Sequence, residues 1–124
     1  MAAKTESNYL ADWLKFEEDN LYSRDKVTVA SGQNLKTGAV VGIITASGKV
    51  TQLAPSASDG SENAAGVLLG DVDASAGDTP GAIIARHAIC SDKGLVWPSG
   101  ITSPQKNTAL GQLKNLGILV REGA

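Results

Sequence analysis

Three side chains between residues 87 and 92 have the types that a hydrolytic triad requires. His87 could serve as a general base, Ser91 as a nucleophile and Asp92 as the group that orients the imidazole. A triad is defined by geometry, so three nearby residues carry little information about one. His87 is the only histidine, and any imidazole chemistry must use this position. The alternative, a structural histidine on a strand beside isoleucines, is the interpretation that we favour.

Two other patterns suggest metal or phosphate binding. Asp71 and Asp73 would lie on one face of a strand, as a divalent metal pair would, but two carboxylates are too few ligands. Gly42 stands one residue too far from Lys49 for a phosphate loop, and valine follows the lysine where Ser or Thr is needed. We interpret these residues as a solvated strand end and a hairpin turn.

Composition indicates one small domain of short strands and many turns. The chain has 124 residues, 14 glycines and 4% aromatic residues. Its net charge of −2 and the lack of a basic run argue against a nucleic-acid partner. A single cysteine, Cys90, excludes an intrachain disulfide and a cysteine-rich zinc site. No apolar run approaches the ~20 residues of a membrane span, and the first residues do not look like a secretory signal.

The aromatic residues are concentrated at the N-terminus. Four of the five lie within the first 22 residues, and their spacing predicts a short amphipathic helix over residues 8–18. A helix of about 11 residues is marginal alone in water, so it should dock on its own domain or on a partner. The apolar side chains of this segment that could make such contacts are Tyr9, Leu10, Trp13, Leu14, Phe16 and Tyr22.

From residue 27 onward the pattern changes to strands. Residues 27–29 alternate at period two, and the apolar run 39–44 precedes a Ser-Gly turn and a second strand over 49–53, which predicts a hairpin. Residues 67–69 predict another buried strand, and the small residues of 74–80 predict a loop.

The last third of the chain predicts one long strand, one helix and a closing strand. Residues 82–90 have apolar side chains on both faces, which favours contact with a second layer or subunit. Ser103 as N-cap and Pro104 at the first helical position predict a helix. Residues 118–120 predict the final strand.

In their order and spacing, several of these segments resemble the lambda-type phage head decoration proteins. The similarity covers roughly residues 35–121 and is sharpest at Leu95-Val96-Trp97-Pro98. The hairpin around Ser47-Gly48, the strand entry Ala65-Gly66-Val67-Leu68 and the closing Ile118-Leu119-Val120 are also similar to that family.

The resemblance implies a mainly β protein, with a small β-clip-like body, a few short helices and an N-terminal arm. It implies an arm over residues 1–26 and a decoration domain over residues 27–124. The family's function is structural and needs neither enzyme activity nor a cofactor. Its members bind the major capsid protein as homotrimers at threefold and quasi-threefold junctions of the expanded head, with no nucleic-acid or membrane partner.

The location implied is the outer surface of the capsid, with synthesis in the host cytoplasm. In this family the arm takes part in attachment, so the six apolar residues of the N-terminal segment are the candidate capsid-binding residues. The arm departs from the lambda-type pattern, because it is rich in aromatic residues, whereas the arm of the type member is richer in Ser, Thr and Pro. Helix docking is therefore an alternative to strand addition.

Two functions of other classes stay open. A β-rich accessory module would bind a carbohydrate or protein through the same aromatic rings, as a monomer. A small hydrolase would depend on His87.

Overall fold

A computed structural model describes residues 10–18 and 22–122. In chain order, the elements of these residues are α1 (Leu10–Trp13), β1 (Leu14–Glu17), β2 (Arg24–Val29), β3 (Asn34–Leu35), β4 (Val40–Ile43), β5 (Val50–Gln52), β6 (Gly66–Leu68), β7 (Val72–Asp73), β8 (Thr79–Ile84), β9 (Ala88–Ser91), a 3-10 helix (Asp92–Gly94), α2 (Ser103–Asn115) and β10 (Ile118–Arg121). The expected fold class, mainly β with a few short helices, is confirmed.

Five strands close into a barrel in the order β2-β5-β4-β6-β8. The predicted hairpin is present, because β4 and β5 pair antiparallel with Gly42 opposite Thr51. Its turn requires a glycine, since Gly48 has a φ of 72° that other residues rarely adopt. Alternate side chains of the strands fill the barrel, and a closed barrel has no free edge.

A second sheet of three strands lies beside the barrel in the order β1-β9-β10. β9 is central, antiparallel to β1 and parallel to β10. The strands β3 and β7 form a separate antiparallel pair.

The core has two parts. One fills the barrel and is built mainly of Val, Ile, Leu and Ala side chains. The other lies where the second sheet and α2 meet the barrel, and it includes Trp13, Cys90, Leu113 and Ile118, each completely buried. The N-terminal segment thus supplies a ring to the core, so this part of it docks on its own domain, one of the two alternatives that the sequence left open.

The predicted helix over residues 8–18 is wrong beyond Trp13. α1 ends there and the chain continues as strand β1 along β9. A short helix gains little stability by itself, whereas the edge of β9 offers hydrogen bonds to an extended chain. Residues 1–9 and 19–21 lie outside the described residues. The predicted boundary between the arm and the decoration domain, between residues 26 and 27, falls inside strand β2.

The single strand predicted over residues 82–90 is also wrong. β8 begins at Thr79, inside the predicted loop, and ends at Ile84, and β9 begins at Ala88. Between them His87 has a φ of 49°, which no continuous strand allows. The break passes the chain from the barrel to the second sheet.

The predicted helix near residue 103 is present, but its N-cap is Thr102. The Thr102 hydroxyl accepts a hydrogen bond from the Gln105 backbone, and the Gln105 side chain accepts one from the Thr102 backbone. This reciprocal pair satisfies two of the otherwise unpaired amides at the helix start. Pro104 is then the second helical residue rather than the first.

Candidate docking surface

An apolar row crosses the outer face of the second sheet. Phe16 of β1 and Leu119 of β10 both lie opposite Ile89 of β9. Residues opposite one another on paired strands share a face. This face points away from the core, since the neighbours Ala88 and Cys90 are buried in it. Phe16 is 51% exposed and Leu119 36%, so the row of Phe16, Ile89 and Leu119 opens to solvent.

A β-bulge in β1 places Phe16 in this row. Leu14 lies opposite Cys90 and Phe16 opposite Ile89, with one extra residue, Lys15, between them. In a regular strand Leu14 and Phe16 would share a face. The bulge instead lets Leu14 pack on the core while Phe16 turns outward.

At the end of the sheet where β9 begins, the rings of Tyr22 and His87 lie 5.3 Å apart between centroids. The buried Ser23 hydroxyl accepts a hydrogen bond from the Glu18 amide and donates one to the His87 carbonyl, both at 2.9 Å. Arg86 donates from Nη1 to the Tyr22 carbonyl at 2.7 Å. These bonds fix Tyr22, which is 51% exposed, beside the sheet.

Trp13 fastens the N-terminal segment to the body. Its side chain is completely buried, and Nε1 donates to the Thr37 hydroxyl at 3.0 Å. That hydroxyl in turn donates to the Leu69 carbonyl at 2.6 Å. The 3-10 helix packs so closely that a Cβ added to Gly94 would lie 2.5 Å from the Trp13 Cβ. The strand β1, which carries Phe16, is therefore held firmly against the body.

The charged groups beside the row are of both signs, since Glu18 follows Phe16 by two residues and Glu122 follows Arg121, and both are exposed. Lys15 precedes Phe16, and Arg121 follows Leu119 by two residues and so shares its face; both are exposed. Glu17 is engaged by Arg24, whose Nε and Nη2 donate to its two carboxylate oxygens at 2.7 and 2.6 Å. This hydrogen bonding lowers the pKa of Glu17, against a smaller opposing effect of burial.

The structure separates the six predicted attachment residues into three groups. Trp13 belongs to the core, and Leu10 and Leu14 pack against it while half-buried. Phe16 and Tyr22 are half exposed. Tyr9 lies outside the described residues.

None of the enzyme-like patterns forms a site in the part of the chain that the structure describes. The Ser91 hydroxyl is buried and accepts a hydrogen bond from the Lys93 amide, whereas His87 is exposed and its ring makes a tilted contact with Tyr22. Asp71 accepts from the Thr37 amide at 2.8 Å, and Asp73 caps the following turn. No cluster of three or more metal-ligating side chains occurs among residues 10–18 and 22–122. Within the same ranges, no helix is long and apolar enough to cross a membrane.

Cys90 should resist thiol reagents in the native protein. It is completely buried, and burial raises the pKa of its thiol to about 12, so the reactive thiolate is scarce at neutral pH. We expect negligible labelling by a disulfide reagent at pH 8 and complete labelling in denaturant. Rapid stoichiometric labelling of the native chain would contradict this packing.

Sequence reasoning missed Ile89 and Leu119 as members of the outward-facing row. Three consecutive apolar residues at 118–120 were a usable signal. If Ile118 and Val120 face the core, Leu119 must face outward. The bulge that brings Phe16 beside them leaves no such mark in the sequence.

A comparison of the sequence with known protein families gave a match. A family model described as bacteriophage lambda head decoration protein D matches residues 3–118, nearly the whole chain. The matched range contains Phe16, Tyr22 and Ile89 and ends one residue before Leu119. Among curated proteins, none matches the chain.

Proposed function

Because this chain belongs to the bacteriophage lambda head decoration protein D family, we propose that it binds the outer surface of the expanded phage head as a homotrimer. Its partner is the major capsid protein, and each trimer lies over a threefold or quasi-threefold junction. The protein is made in the host cytoplasm and acts without a cofactor, nucleic acid or membrane.

The observation that supports docking most directly is the exposed apolar row. Soluble monomers expose single apolar side chains, but adjacent ones on one sheet face are typical of interaction sites. Phe16, Ile89 and Leu119 stand side by side on such a face. A row that spans three strands suits a broad contact better than a small ligand.

The effect on the head is mechanical. Packaged DNA pushes capsid subunits apart, and a trimer that binds three of them across a junction opposes the separation with its binding free energy. Many copies act together on one shell, so a modest energy at each site becomes large. A protein that binds the expanded shell better than the unexpanded one also shifts the equilibrium toward expansion.

We assign residues 1–26 to attachment and residues 27–124 to the decoration domain, as a functional division. Within the attachment segment, Leu10, Trp13 and Leu14 hold the chain on the body. Phe16 and Tyr22 are the candidates for direct capsid contact, together with Tyr9. A load applied to Phe16 passes to the body through β1 and the buried Trp13.

Phe16→Ala should weaken capsid binding about tenfold, the loss typical of an aromatic anchor at an interface. Co-sedimentation of the full-length variant with expanded, undecorated capsids measures this. Phe16→Tyr is the matched control and should bind nearly as the parent does, since the ring is kept. Equal affinity of Phe16→Ala and the parent would remove Phe16 from the attachment surface.

A deletion of residues 2–9 tests Tyr9 and the rest of the terminal segment. Deleting all of residues 1–26 would be less informative, because it removes Trp13 from the core and the first residues of β2. The shorter deletion leaves every described element in place.

A further inference from the structure

We infer that the capsid-binding surface continues from the N-terminal segment onto the body, through Ile89 and Leu119, and that it meets an apolar site on the major capsid protein. This inference rests on the proposed function. It adds residues of β9 and β10 to a surface otherwise assigned to the arm alone.

The first argument is continuity. The register places Phe16, Ile89 and Leu119 in one row across three neighbouring strands. With strands about 4.8 Å apart, the row extends for about 10 Å. A partner that covers Phe16 must also approach Ile89, which lies directly opposite it on the neighbouring strand. Leu119 then closes the row at the far edge and is still 36% exposed.

The second argument concerns the position of the chain's first residues. Residues 1–9 precede Leu10, which begins the element leading directly into the strand that carries Phe16. An extended chain of nine residues spans about 30 Å. A capsid-bound arm that starts here therefore keeps the row within about 30 Å of the same partner.

The composition of the row gives the chemistry of that partner. Its three side chains are apolar, and the exposed charged side chains around it are of both signs: Lys15, Glu18, Arg121 and Glu122. A complementary surface is therefore apolar at its centre, with no excess of one charge required at its rim.

Symmetry argues against a second copy of this chain as the occupant. Away from its axis, a ring of three copies makes head-to-tail contacts, so a row buried there between copies needs a different, complementary surface on the neighbouring copy. Within the described residues the exposed large apolar side chains are Phe16, Tyr22, Leu119 and Val96. Only Val96 lies away from the second sheet, and one side chain is a poor counterpart for a row of three.

Leu119→Asp and Val96→Asp form a matched pair, because both side chains are 36% exposed and both changes add one negative charge. Binding of each full-length variant to expanded, undecorated capsids is measured together with its thermal unfolding and its oligomeric state. We expect Leu119→Asp to bind at least about tenfold more weakly, because the contact would bury an unpaired carboxylate, and Val96→Asp to stay within about threefold of the parent.

Three results would overturn the inference. One is equal binding by the parent and Leu119→Asp; another is equal weakening by both aspartates. The third is a loss of self-association by Leu119→Asp, which would make the row a contact between copies. Leu119→Ala, with an expected loss of severalfold, replaces the aspartate if that variant unfolds. A parent that fails to bind capsids at all would instead contradict the proposed function.

Discussion

Replacing Trp13 by alanine should lower the free energy of unfolding by about 3–5 kcal/mol, the usual range for truncating a buried tryptophan. The ring is completely buried among side chains of the second sheet, α2 and the barrel. Its Nε1 also donates to Thr37, whose hydroxyl would lose that donor in a site only 5% exposed. Chemical denaturation followed by far-UV circular dichroism measures the change.

Phe16→Ala is the control for this prediction. Phe16 lies three residues further along the same segment and is 51% exposed, so its truncation should lower the free energy of unfolding by only about 1 kcal/mol, mainly through the lost cross-strand contact with Ile89. Similar losses for both variants, or none for Trp13→Ala, would show that the N-terminal segment does not pack as described.

The second large effect is expected at Gly94 in the 3-10 helix. An alanine there would place its Cβ 2.5 Å from the Trp13 Cβ and 3.0 Å from the backbone of Asp12. Backbone atoms cannot rotate away, so either the 3-10 helix or α1 must shift. Such overpacking costs about 1–3 kcal/mol. We expect a midpoint at lower denaturant concentration, with an unchanged slope.

Gly111→Ala is the matched substitution for Gly94→Ala. Gly111 lies inside α2 with no atom within 4 Å of an added Cβ. Alanine should therefore stabilise the helix by up to about 1 kcal/mol. The two glycines thus respond with opposite signs. Stabilisation by alanine at both positions would mean that α1 does not rest on the 3-10 helix.

The elements that the sequence predicted correctly depend on local chemistry. The hairpin of β4 and β5 follows from an apolar run, a Ser-Gly turn and a second run, and all of these signals lie within a few residues of one another. The closing strand at 118–120 and the helix before it carry equally local patterns. The family resemblance, stated from the order of such segments, agrees with the family model that matches the chain.

The row of Phe16, Ile89 and Leu119 could not be predicted, because it depends on tertiary pairing. Apolar residues at 10, 13 and 14 fit a helix, and only the edge of β9 makes a strand more favourable from Leu14 onward. The bulge at Lys15 then decides which face Phe16 occupies. Its position follows from the core accepting Leu14, not from any local preference.

The burial of Trp13 could not be predicted either, because it also depends on tertiary packing. A ring at helical spacing in an aromatic segment fits an exposed anchor as well as it fits a core residue. Its hydrogen bond to Thr37 joins residues 24 positions apart. Spacing within the segment carries no information about such a distant partner.

The most direct test of the decoration function is saturation binding of the full-length protein to expanded, undecorated capsids, with unexpanded shells of the same phage in parallel. The account predicts saturation at one trimer per threefold and quasi-threefold junction of the expanded shell and much weaker binding to the unexpanded one. Absence of saturable binding to the expanded shell, or equal binding to both forms, would contradict it.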